Sequence, residues 1–410
     1  MRILVHDYGG YPFTVQLARA LASRRHEVLY LYSTGLITPK GAMHRRENDS
    51  LGLAFEAVTL GNGAATRRAG VRRWIEERRY GASLAARISA WKPDVVLSAN
   101  TPIDAQGKAL TATHEVGGRF AFWMQDLYSA AVERLLSRRN RTAGRIAGRR
   151  YARIERRLIR ASDVVIAAAG PFVATLREWS VPPARIHHIP NWAPMDDSTG
   201  IVPRANEWAR EHNLDSVPVL AYTGTLGRKH NPHLLVELAA ACPDARVLVV
   251  AEGVGATWLL AQQSAPSNLR VLPLQPPDRL PEVLATADVL VALLDHDASE
   301  FSEPSKVLTY LAAGRPILAA IPNDNQAART ILDAQAGRVV DPSDLSGLRE
   351  AARNLLADAP YRELAGRRGR EYAADRFNIA VIADRFESAL AEAEYVGRDP
   401  VHPRVTRADV

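Results

Sequence analysis

The sequence predicts an α/β protein with two doubly wound, Rossmann-like domains that face each other across a cleft. Apolar runs short enough to be buried strands alternate with amphipathic helices as far as Trp192, and the same alternation restarts at Val217. The stretch 194–217 is rich in Pro, Asp, Ser and Asn, which is typical of a linker. Sheets of this type bind ligands at the carboxyl ends of their strands, so polar residues there are the first candidates for a site.

Length and composition are those of a water-soluble globular chain. With 410 residues, 47% of them hydrophobic, it is long enough for two cores of about 150–200 residues each. The single cysteine, Cys242, excludes a disulfide framework and indicates a reducing, cytoplasmic setting. The amino terminus enters a strand directly, without the apolar core of a signal peptide, and no run of 18 apolar residues is present to span a bilayer.

Charge is distributed unevenly between the two halves. Residues 1–200 contain 30 Lys and Arg against 17 Asp and Glu, whereas residues 201–410 contain 22 against 28. The net charge of +7 therefore comes from the first half alone. Such an asymmetry predicts that one domain faces an anionic surface, which leaves nucleic acid, phospholipid or a phosphorylated acceptor open.

The first half begins with a strand, a Gly-Gly turn and a helix. Arg2–His6 is the strand, Gly9-Gly10 forms the turn, and the apolar residues from Val15 to Ala22 fall on one helical face. The turn is not GxGxxG, so it carries no dinucleotide fingerprint; it is either a plain tight turn or a place where backbone approaches a ligand. Further strands are predicted at four places: Glu27–Tyr32, Pro93–Leu97, Arg119–Trp123 and Asp163–Ala168. Asn100 and Thr101 follow the third of the five strands and are candidates for contacts with an acceptor.

Two basic segments interrupt this pattern. Residues 34–80 are poorly patterned and contain paired arginines interleaved with Trp74, Ile75 and Tyr80, which fits either a membrane-interface segment or a solvated helix face. Residues 134–160 carry 11 arginines and one acid, Glu155. There the apolar positions 147, 151, 154 and 158 mark one helical face, and arginines cover the rest. We expect Arg149, Arg153 and Arg156 to face anionic lipid or a lipid diphosphate; nucleic acid is disfavoured because no recognition module accompanies the charge.

The second half repeats strand and helix around two polar turns. Strands are predicted at Val217–Tyr222, Arg246–Ala251, Leu269–Leu274, Ala287–Leu294, Ile317–Ile321 and Gly337–Val340. After these only helices remain, at 344–357, 360–375 and 379–396. The short helix that starts at Pro304-Ser305-Lys306 ends where Gly314 fits a left-handed C-cap and Pro316 prevents continuation. Its first turn offers free N–H groups, a hydroxyl and an ammonium at one point, which predicts a site for a phosphorylated ligand.

The two turns of this half carry a resemblance. The segments GTLGRKHNP, preceded by Thr223, and PSKVLTYLAAGRP, residues 304–316, resemble the nucleotide-sugar loops of retaining glycosyltransferases of family 4, which have the GT-B fold, in particular members of capsule, O-antigen and colanic-acid type. The resemblance extends over roughly residues 1–396. It departs from the family at Thr309, where the family often has the Glu that holds the ribose.

The resemblance implies domains, an activity and a set of site residues. It implies an acceptor domain at 1–195 that the helix at about 379–396 rejoins, a donor domain at 203–377, and a tail at 397–410 that we expect to be disordered. It implies transfer of a sugar from a nucleotide sugar, UDP- or GDP-linked, to a lipid-linked saccharide, a polysaccharide or a secondary metabolite, with no metal and no other cofactor. The expected location is cytoplasmic, peripheral to the inner face of the plasma membrane.

The residues implied in catalysis are Asp126, Arg228, Lys229, Glu303 and Lys306. Those implied in donor binding are Gly9, Gly10, Gly224, Thr225, Gly227, Glu252, Leu274, Pro304, Ser305 and Thr309.

Three alternatives stay open at this point. Asp295-His296-Asp297 follows an apolar strand, as the metal-binding Asp-x-Asp of other glycosyltransferases does, although there it belongs to a single domain of about half this length. A non-hydrolysing nucleotide-sugar epimerase would have the same fold and need no acceptor. A non-catalytic binder of anionic lipid would explain the basic half, but not the cations of the second half.

Overall fold

A computed structural model describes residues 1–35, 40–58, 71–137, 141–194, 206–276, 278–296 and 306–396. The chain divides into two compact units. Unit 1 is Met1–Asn191 together with the segment that begins at Ile379, and unit 2 is Trp192–Asn378. The predicted tail at 397–410 lies outside the described residues.

Unit 1 contains a parallel sheet of seven strands in the order β3-β2-β1-β4-β5-β6-β7. The strands are β1 Arg2–Asp7, β2 Glu27–Ser33, β3 Leu53–Val58, β4 Val95–Ala99, β5 Arg119–Met124, β6 Val164–Ala167 and β7 Ile186–His188. Helices cover both faces, so the inner strands are mostly apolar, and Ile3, Leu4 and Val5 of β1 are fully buried. The α-helices of this unit are α1 Pro12–Ser23, α2 Val71–Trp91, α3 Ile103–Glu115, α4 Tyr128–Ser137, α5 Arg141–Ala161, α6 Gly170–Glu178 and α15 Ile379–Val396.

Helix α15 rejoins unit 1 through both aromatic and charged contacts. The ring of Phe386 meets that of Trp123 edge-on, with centroids 4.7 Å apart. Arg24 pairs with Asp384 at 2.6 Å, and His26 lies 2.8 Å from Glu387. The last described helix of the chain is therefore packed as part of the unit that begins it.

Unit 2 contains a second parallel sheet, of six strands in the order β10-β9-β8-β11-β12-β13. The strands are β8 Val219–Thr225, β9 Arg246–Glu252, β10 Leu269–Leu272, β11 Val289–Leu293, β12 Ile317–Ala320 and β13 Gly337–Val340. Its α-helices are α7 Glu207–Glu211, α8 His233–Ala241, α9 Val254–Leu260, α10 Leu280–Thr286, α11 Lys306–Ala313, α12 Gln326–Asp333, α13 Leu345–Ala357 and α14 Ala359–Arg376. Gly314 has φ +68°, as the predicted C-cap of α11 requires. The α/β class with two parallel Rossmann-like sheets is confirmed.

Two expectations about irregular segments are wrong. The poorly patterned stretch 34–80 contains β3 and the first half of α2, where the exposed Arg78 and Arg79 agree with the solvated-helix alternative. Tyr80 is fully buried and therefore part of the core, so its assignment to a membrane-facing surface is wrong. Part of the segment interpreted as linker is the helix α7, whose Trp208 is 1% exposed. Both errors have one cause: polar and charged residues dominate these stretches, and a few buried aromatic anchors fix their structure only through tertiary packing.

Candidate active site

The carboxyl edge of the unit-2 sheet brings together the ends of β8 and β11. Strand β8 pairs with β9 on one side and with β11 on the other, so the chain leaves β8 in one direction and later returns on the opposite side. This is the switch point at which open parallel sheets form a ligand-binding crevice. The two turns singled out in the sequence both start here.

Lys306, the first residue of α11, lies at this edge with its ammonium buried. The Nζ atom is 3.5 Å from the ring centroid of Tyr222 on β8. Within the described part of the chain, no hydrogen-bond partner reaches Nζ. Burial lowers the pKa of Lys306 well below its ordinary value, and the neighbouring charge of Lys229 lowers it further. Buried charges are normally paired, so the Lys306 ammonium, unpaired within the described ranges, indicates a site for an anionic ligand.

The turn between β8 and α8 is held by a neutral histidine. Gly224 has φ +99°, and residues Arg228–His230 form a single 3-10 turn. The Gly227 N–H donates to Nδ1 of His230 at 2.9 Å, which requires that nitrogen to be unprotonated. Burial, and then the charges of Lys306 and Lys229, lower the pKa of His230 to about 3. Neutral His230 thus orders the turn without adding a third charge beside the two lysines.

Close packing against β9 fixes the middle of the same turn. The Leu226 N–H donates to the carbonyl of Glu252 at 2.8 Å, and the Leu226 carbonyl accepts from Gly255 N–H at 2.8 Å. A Cβ atom on Gly253 or Gly255 would lie 2.8 Å from that carbonyl oxygen. Gly253 also has φ +113°, so both the space and the backbone angle at this position require glycine.

The remaining donor-binding candidates of unit 2 lie around this edge. Thr225 and Glu252 are exposed at the ends of the paired strands β8 and β9, Thr309 is half-buried on α11, and Leu274 is half-buried just after β10. The backbone N–H of Asp295 donates to the carbonyl of Lys229 at 2.8 Å, which ties the loop after β11 to the turn after β8. Glu303, Pro304, Ser305 and the side chain of Arg228 lie outside the described residues. The structure thus brings Lys229 and Lys306 together and adds Tyr222 and His230, which the sequence interpretation did not select.

Asp7 organises the corresponding edge of unit 1. Its buried carboxylate accepts the N–H groups of Gly9 at 3.0 Å and Tyr11 at 2.8 Å, and the hydroxyl of Thr14 at 2.6 Å. Burial raises the pKa of Asp7, and these hydrogen bonds oppose the rise. The carboxylate therefore occupies the anion-binding start of α1. The Gly10 N–H is also engaged, by the Asp7 carbonyl at 3.2 Å. The backbone N–H groups of Gly9 and Gly10 thus already donate hydrogen bonds to Asp7 and are not free for a ligand. The predicted role of both glycines in binding the nucleotide-sugar donor stays a prediction.

A buried histidine network positions Thr101 near the end of β4. Thr101 donates its hydroxyl proton to the carbonyl of Ala99 at 2.6 Å, so its oxygen accepts from Nδ1–H of His6 at 3.1 Å. The other ring nitrogen of His6 then accepts the hydroxyl of Tyr80 at 2.8 Å. Burial lowers the pKa of His6 to about 3, so the ring is neutral. The only sequence signal for this network is a histidine inside an otherwise apolar strand.

The two other candidates of unit 1 also follow strand ends. Asn100 has φ +45°, a left-handed conformation that asparagine tolerates better than most residues, and it directly follows β4. Asp126 is exposed just after β5, and its catalytic role stays a prediction. Burial, Asp7 and then Asp126 raise the pKa of Tyr11 to about 12, which locates Asp126 near the Gly-Gly turn.

The arginine-rich helix α5 presents a charged outer face. Eight arginines on it are exposed: Arg141, Arg145, Arg149, Arg150, Arg153, Arg156, Arg157 and Arg160. The predicted inner face is wrong in part, because Ile154 is 36% exposed. The inner face instead follows Gly144, Gly148, Glu155 and Leu158, all buried. Glu155, the one acid, accepts the N–H groups of Tyr128 and Ser129 at 2.9 and 3.0 Å, and thereby caps α4. Small residues and a capping carboxylate define this face, which a search for apolar spacing alone misses.

The possible metal motif, Asp295-His296-Asp297, begins two residues after β11. Asp295 is half-buried, and His296 pairs with Asp341 at 3.0 Å. Asp297 lies outside the described residues. Where the chain is described, no three His, Cys, Asp or Glu side chains cluster as ligands for a metal ion. The absence of a metal requirement therefore stays a prediction.

Comparison with known proteins identifies the family. Residues 10–196 match the family model described as Glycosyltransferase Family 4, and residues 217–358 match the model of Glycosyl transferases group 1. The chain belongs to glycosyltransferase family 4. The predicted family and the transferase class are therefore confirmed.

A curated relative and several solved structures are similar to this chain. A curated relative from Mycolicibacterium smegmatis, a GDP-mannose-dependent alpha-(1-6)-phosphatidylinositol monomannoside mannosyltransferase, is 27% identical over 226 residues. The match covers 51% of this chain and little more than half, 57%, of the relative. Sucrose-phosphate synthase from Thermosynechococcus elongatus superposes with a TM-score of 0.73 at 16% identity, covering 96% of this chain and 98% of the other. WaaG, a glycosyltransferase involved in lipopolysaccharide biosynthesis, superposes with a TM-score of 0.64 at 18% identity, covering 94% of this chain and 98% of WaaG. The GT-B fold of this family 4 protein is thereby confirmed.

Among the helices that the structure describes, none combines the length and the apolar character needed to cross a membrane.

Proposed function

We propose that this chain is a retaining glycosyltransferase that moves a sugar from a nucleotide-sugar donor to a lipid-linked saccharide, a polysaccharide or a secondary-metabolite acceptor. The observation that carries the proposal is the Lys306 ammonium, buried beside Lys229 at the β8–β11 edge with no hydrogen-bond partner among the described residues. A buried cation without an anion is unfavourable alone and favourable once an anionic ligand arrives.

The diphosphate of a nucleotide sugar is the anion that fits this chemistry. When the bond between the sugar and the diphosphate breaks, the departing diphosphate gains negative charge, and fixed cations stabilise it most in the transition state. Lys306 and Lys229 supply this charge, and Arg228 and Ser305 adjoin them in sequence. Because these side chains are cations, the same charge can be stabilised without a metal ion.

Retention follows if the acceptor attacks the face from which the diphosphate leaves, with a phosphate oxygen taking the acceptor's proton. Asp126 of unit 1 is the candidate to stabilise positive charge that develops on the sugar, because it is exposed just after a strand end. Glu303 is the candidate to hold sugar hydroxyls. For the donor base, the relative that uses GDP-mannose and the Anabaena HepE structures with UDP support a GDP- or UDP-linked sugar.

A thermal-shift screen with UDP-, GDP-, ADP- and TDP-sugars tests the proposal. A ligand at 100 times its Kd stabilises the folded state by about 2.7 kcal/mol, which raises the Tm of a domain of this size by about 5–10 °C. We expect the nucleotide sugars of one nucleobase to give this shift, and we expect the Lys306→Met substitution to reduce it. Absence of a shift with every nucleotide sugar and with free UDP and GDP would contradict the proposal. Incubation with donor alone tests the epimerase alternative, which would convert the sugar without acceptor.

We also propose that the outer face of α5 holds the enzyme at an anionic membrane surface. Ile146, 65% exposed, is followed at helical spacing by Arg150, Arg153 and Arg157, so an apolar side chain lies among cations. Arg156 differs, because its guanidinium lies over the ring of Trp179 at 5.6 Å. This supports a surface centred on Arg149, Arg150, Arg153 and Arg157.

Vesicle flotation tests the membrane proposal. Each arginine near an anionic surface contributes about 1 kcal/mol, so the triple change of Arg149, Arg153 and Arg157 to Gln should weaken partitioning by about 10²-fold. Changing Arg367 and Arg368 to Gln, which removes exposed arginines from α14 of unit 2, is the control and should have little effect. Equal binding to neutral and anionic vesicles, or no response to salt, would refute this role.

A further inference from the structure

Tyr222 has an unusual position between the two lysine-bearing turns. It lies on β8, three residues before the strand ends at Thr225, and its side chain is fully buried. The face of its ring lies against the Lys306 ammonium, 3.5 Å from Nζ to the ring centroid. An aromatic face attracts a cation, and the attraction grows when water is excluded.

The hydroxyl of Tyr222 fixes the ring from the other end. It donates to the carbonyl of Thr225 at 2.8 Å, within the turn that carries Gly224 and Gly227. The ring of His230 approaches that of Tyr222 edge-on, with centroids 6.2 Å apart. The plane of the ring is therefore set by the turn, and the turn and α11 meet through it.

Charge around Lys306 explains why such a support is needed. Lys229 repels the ammonium, and His230 is neutral and offers it no compensation. Tyr310 of α11 does not compensate either, because its hydroxyl is engaged with Thr223 at 3.0 Å. Among the described residues, Nζ has no hydrogen-bond partner and lies against the attractive ring face of Tyr222.

We propose that Tyr222 is a positioning residue for Lys306, whose ring face holds the ammonium where it meets the donor's diphosphate. This inference rests on the proposed function. The ring lowers the cost of keeping the ammonium charged and buried before the diphosphate arrives. Because the diphosphate gains charge as it leaves, loss of the ring should lower kcat more than it raises KM.

Two substitutions separate the ring from the hydroxyl. Tyr222→Leu removes the ring, and a cation–π contribution of desolvated size predicts a loss in kcat/KM of about 10–30-fold. Tyr222→Phe keeps the ring and removes the bond to Thr225, so we expect it to stay within about threefold of the parent enzyme. The alkaline limb of the pH–rate profile should move to lower pH in Tyr222→Leu only, because the ammonium then loses its proton more readily.

A double-mutant cycle with Lys306→Met distinguishes positioning from a purely structural role. If Tyr222 acts through Lys306, Tyr222→Leu should have no further effect on kcat/KM in the Lys306→Met background. A full additional loss there, or an equal loss with Phe and Leu, would show that the ring only supports the fold and would overturn the inference.

Fluorinated phenylalanines at position 222 test the same point without changing shape. Successive fluorination weakens the attraction of the ring face for a cation, so kcat/KM should fall progressively from Phe to the trifluoro variant. A flat series alongside an inactive Lys306→Met enzyme refutes the role of Tyr222 alone. Full activity of the Lys306→Met enzyme would refute the proposed function itself. Failure of the parent enzyme to bind any nucleotide sugar would refute it too.

Discussion

The neutral state of His230 makes the stability of unit 2 sensitive to acid. The folded-state pKa of about 3 lies below the ordinary value of 6.5, so between these values the unfolded chain binds a proton that the folded chain does not. Stability is therefore fully present above about pH 6.5 and is lost as the pH falls toward 3. For one such group, a change from about pH 7.5 to 5.0 lowers the free energy of unfolding by about 2 kcal/mol.

Urea titrations at the two pH values measure this loss. Hydrogen-exchange mass spectrometry of peptides from β8 and β9, with a labelling pulse at constant pH, reports unfolding of unit 2 separately. With a urea m-value of about 2 kcal/mol/M, the midpoint should fall by about 1 M. The lowered pKa of Lys306 changes the free energy of unfolding in the same direction. A matched variant is therefore needed to isolate the contribution of His230.

His230→Asn is that variant. The side-chain oxygen of asparagine replaces Nδ1 as acceptor for the Gly227 N–H but does not titrate. The variant should therefore lose about 2 kcal/mol less than the parent over the same pH interval, whatever its absolute stability. Parallel pH dependences in parent and variant would refute the buried, neutral state of His230.

Three further predictions concern the lysine, the metal and a helix cap. Lys306→Ala should lower turnover by about 10²-fold or more with the fold retained, measured by steady-state kinetics and circular dichroism; near-normal turnover would remove Lys306 from the mechanism. EDTA should leave the rate of sugar transfer unchanged, whereas a requirement for Mn²⁺ would bring Asp295 and Asp297 into the mechanism. Glu155→Ala should lower the free energy of unfolding of unit 1 by about 2 kcal/mol, because two N–H groups at the start of α4 lose their acceptor. Glu155→Gln keeps one acceptor oxygen and should lose less in the same urea titration, and an equal loss would contradict the capping role.

Much of the sheet architecture could be predicted because buried parallel strands are locally encoded. The apolar run Ile3–Val5 and its equivalents are buried on both faces, so the chain must be apolar there wherever its neighbours lie. The cap of α11 is local too, since Gly314 takes the left-handed φ that ends the helix. By contrast, β3 and the start of α2 carry mixed polarity, and the aromatic side chain of Tyr80 belongs to a core cluster built from strands and helices that are distant in sequence.

For the candidate site, the sequence identified the cations but not the residues that control them. Lys229 and Lys306 stand in turns whose glycines and helix start indicate anion binding in any context. The roles of Tyr222, His230 and Asp7 depend on partners that come close only on folding. Tyr222 and Lys306 are 84 positions apart in sequence, yet Nζ of Lys306 lies 3.5 Å from the ring centroid of Tyr222. No local pattern marks a tyrosine in a strand as a support for a cation.

The fold class and the two charged turns could be predicted locally, because hydrophobic periodicity and turn chemistry act over a few residues, and the family followed from the resemblance of those turns to known motifs. Which side chains are desolvated together depends instead on how distant segments pack. Burial sets the neutral state of His230 and His6, the engaged carboxylate of Asp7 and the unpaired ammonium of Lys306 among the described residues. Desolvation depends on every neighbour that packs around a group, so it becomes defined only when distant segments of the chain meet.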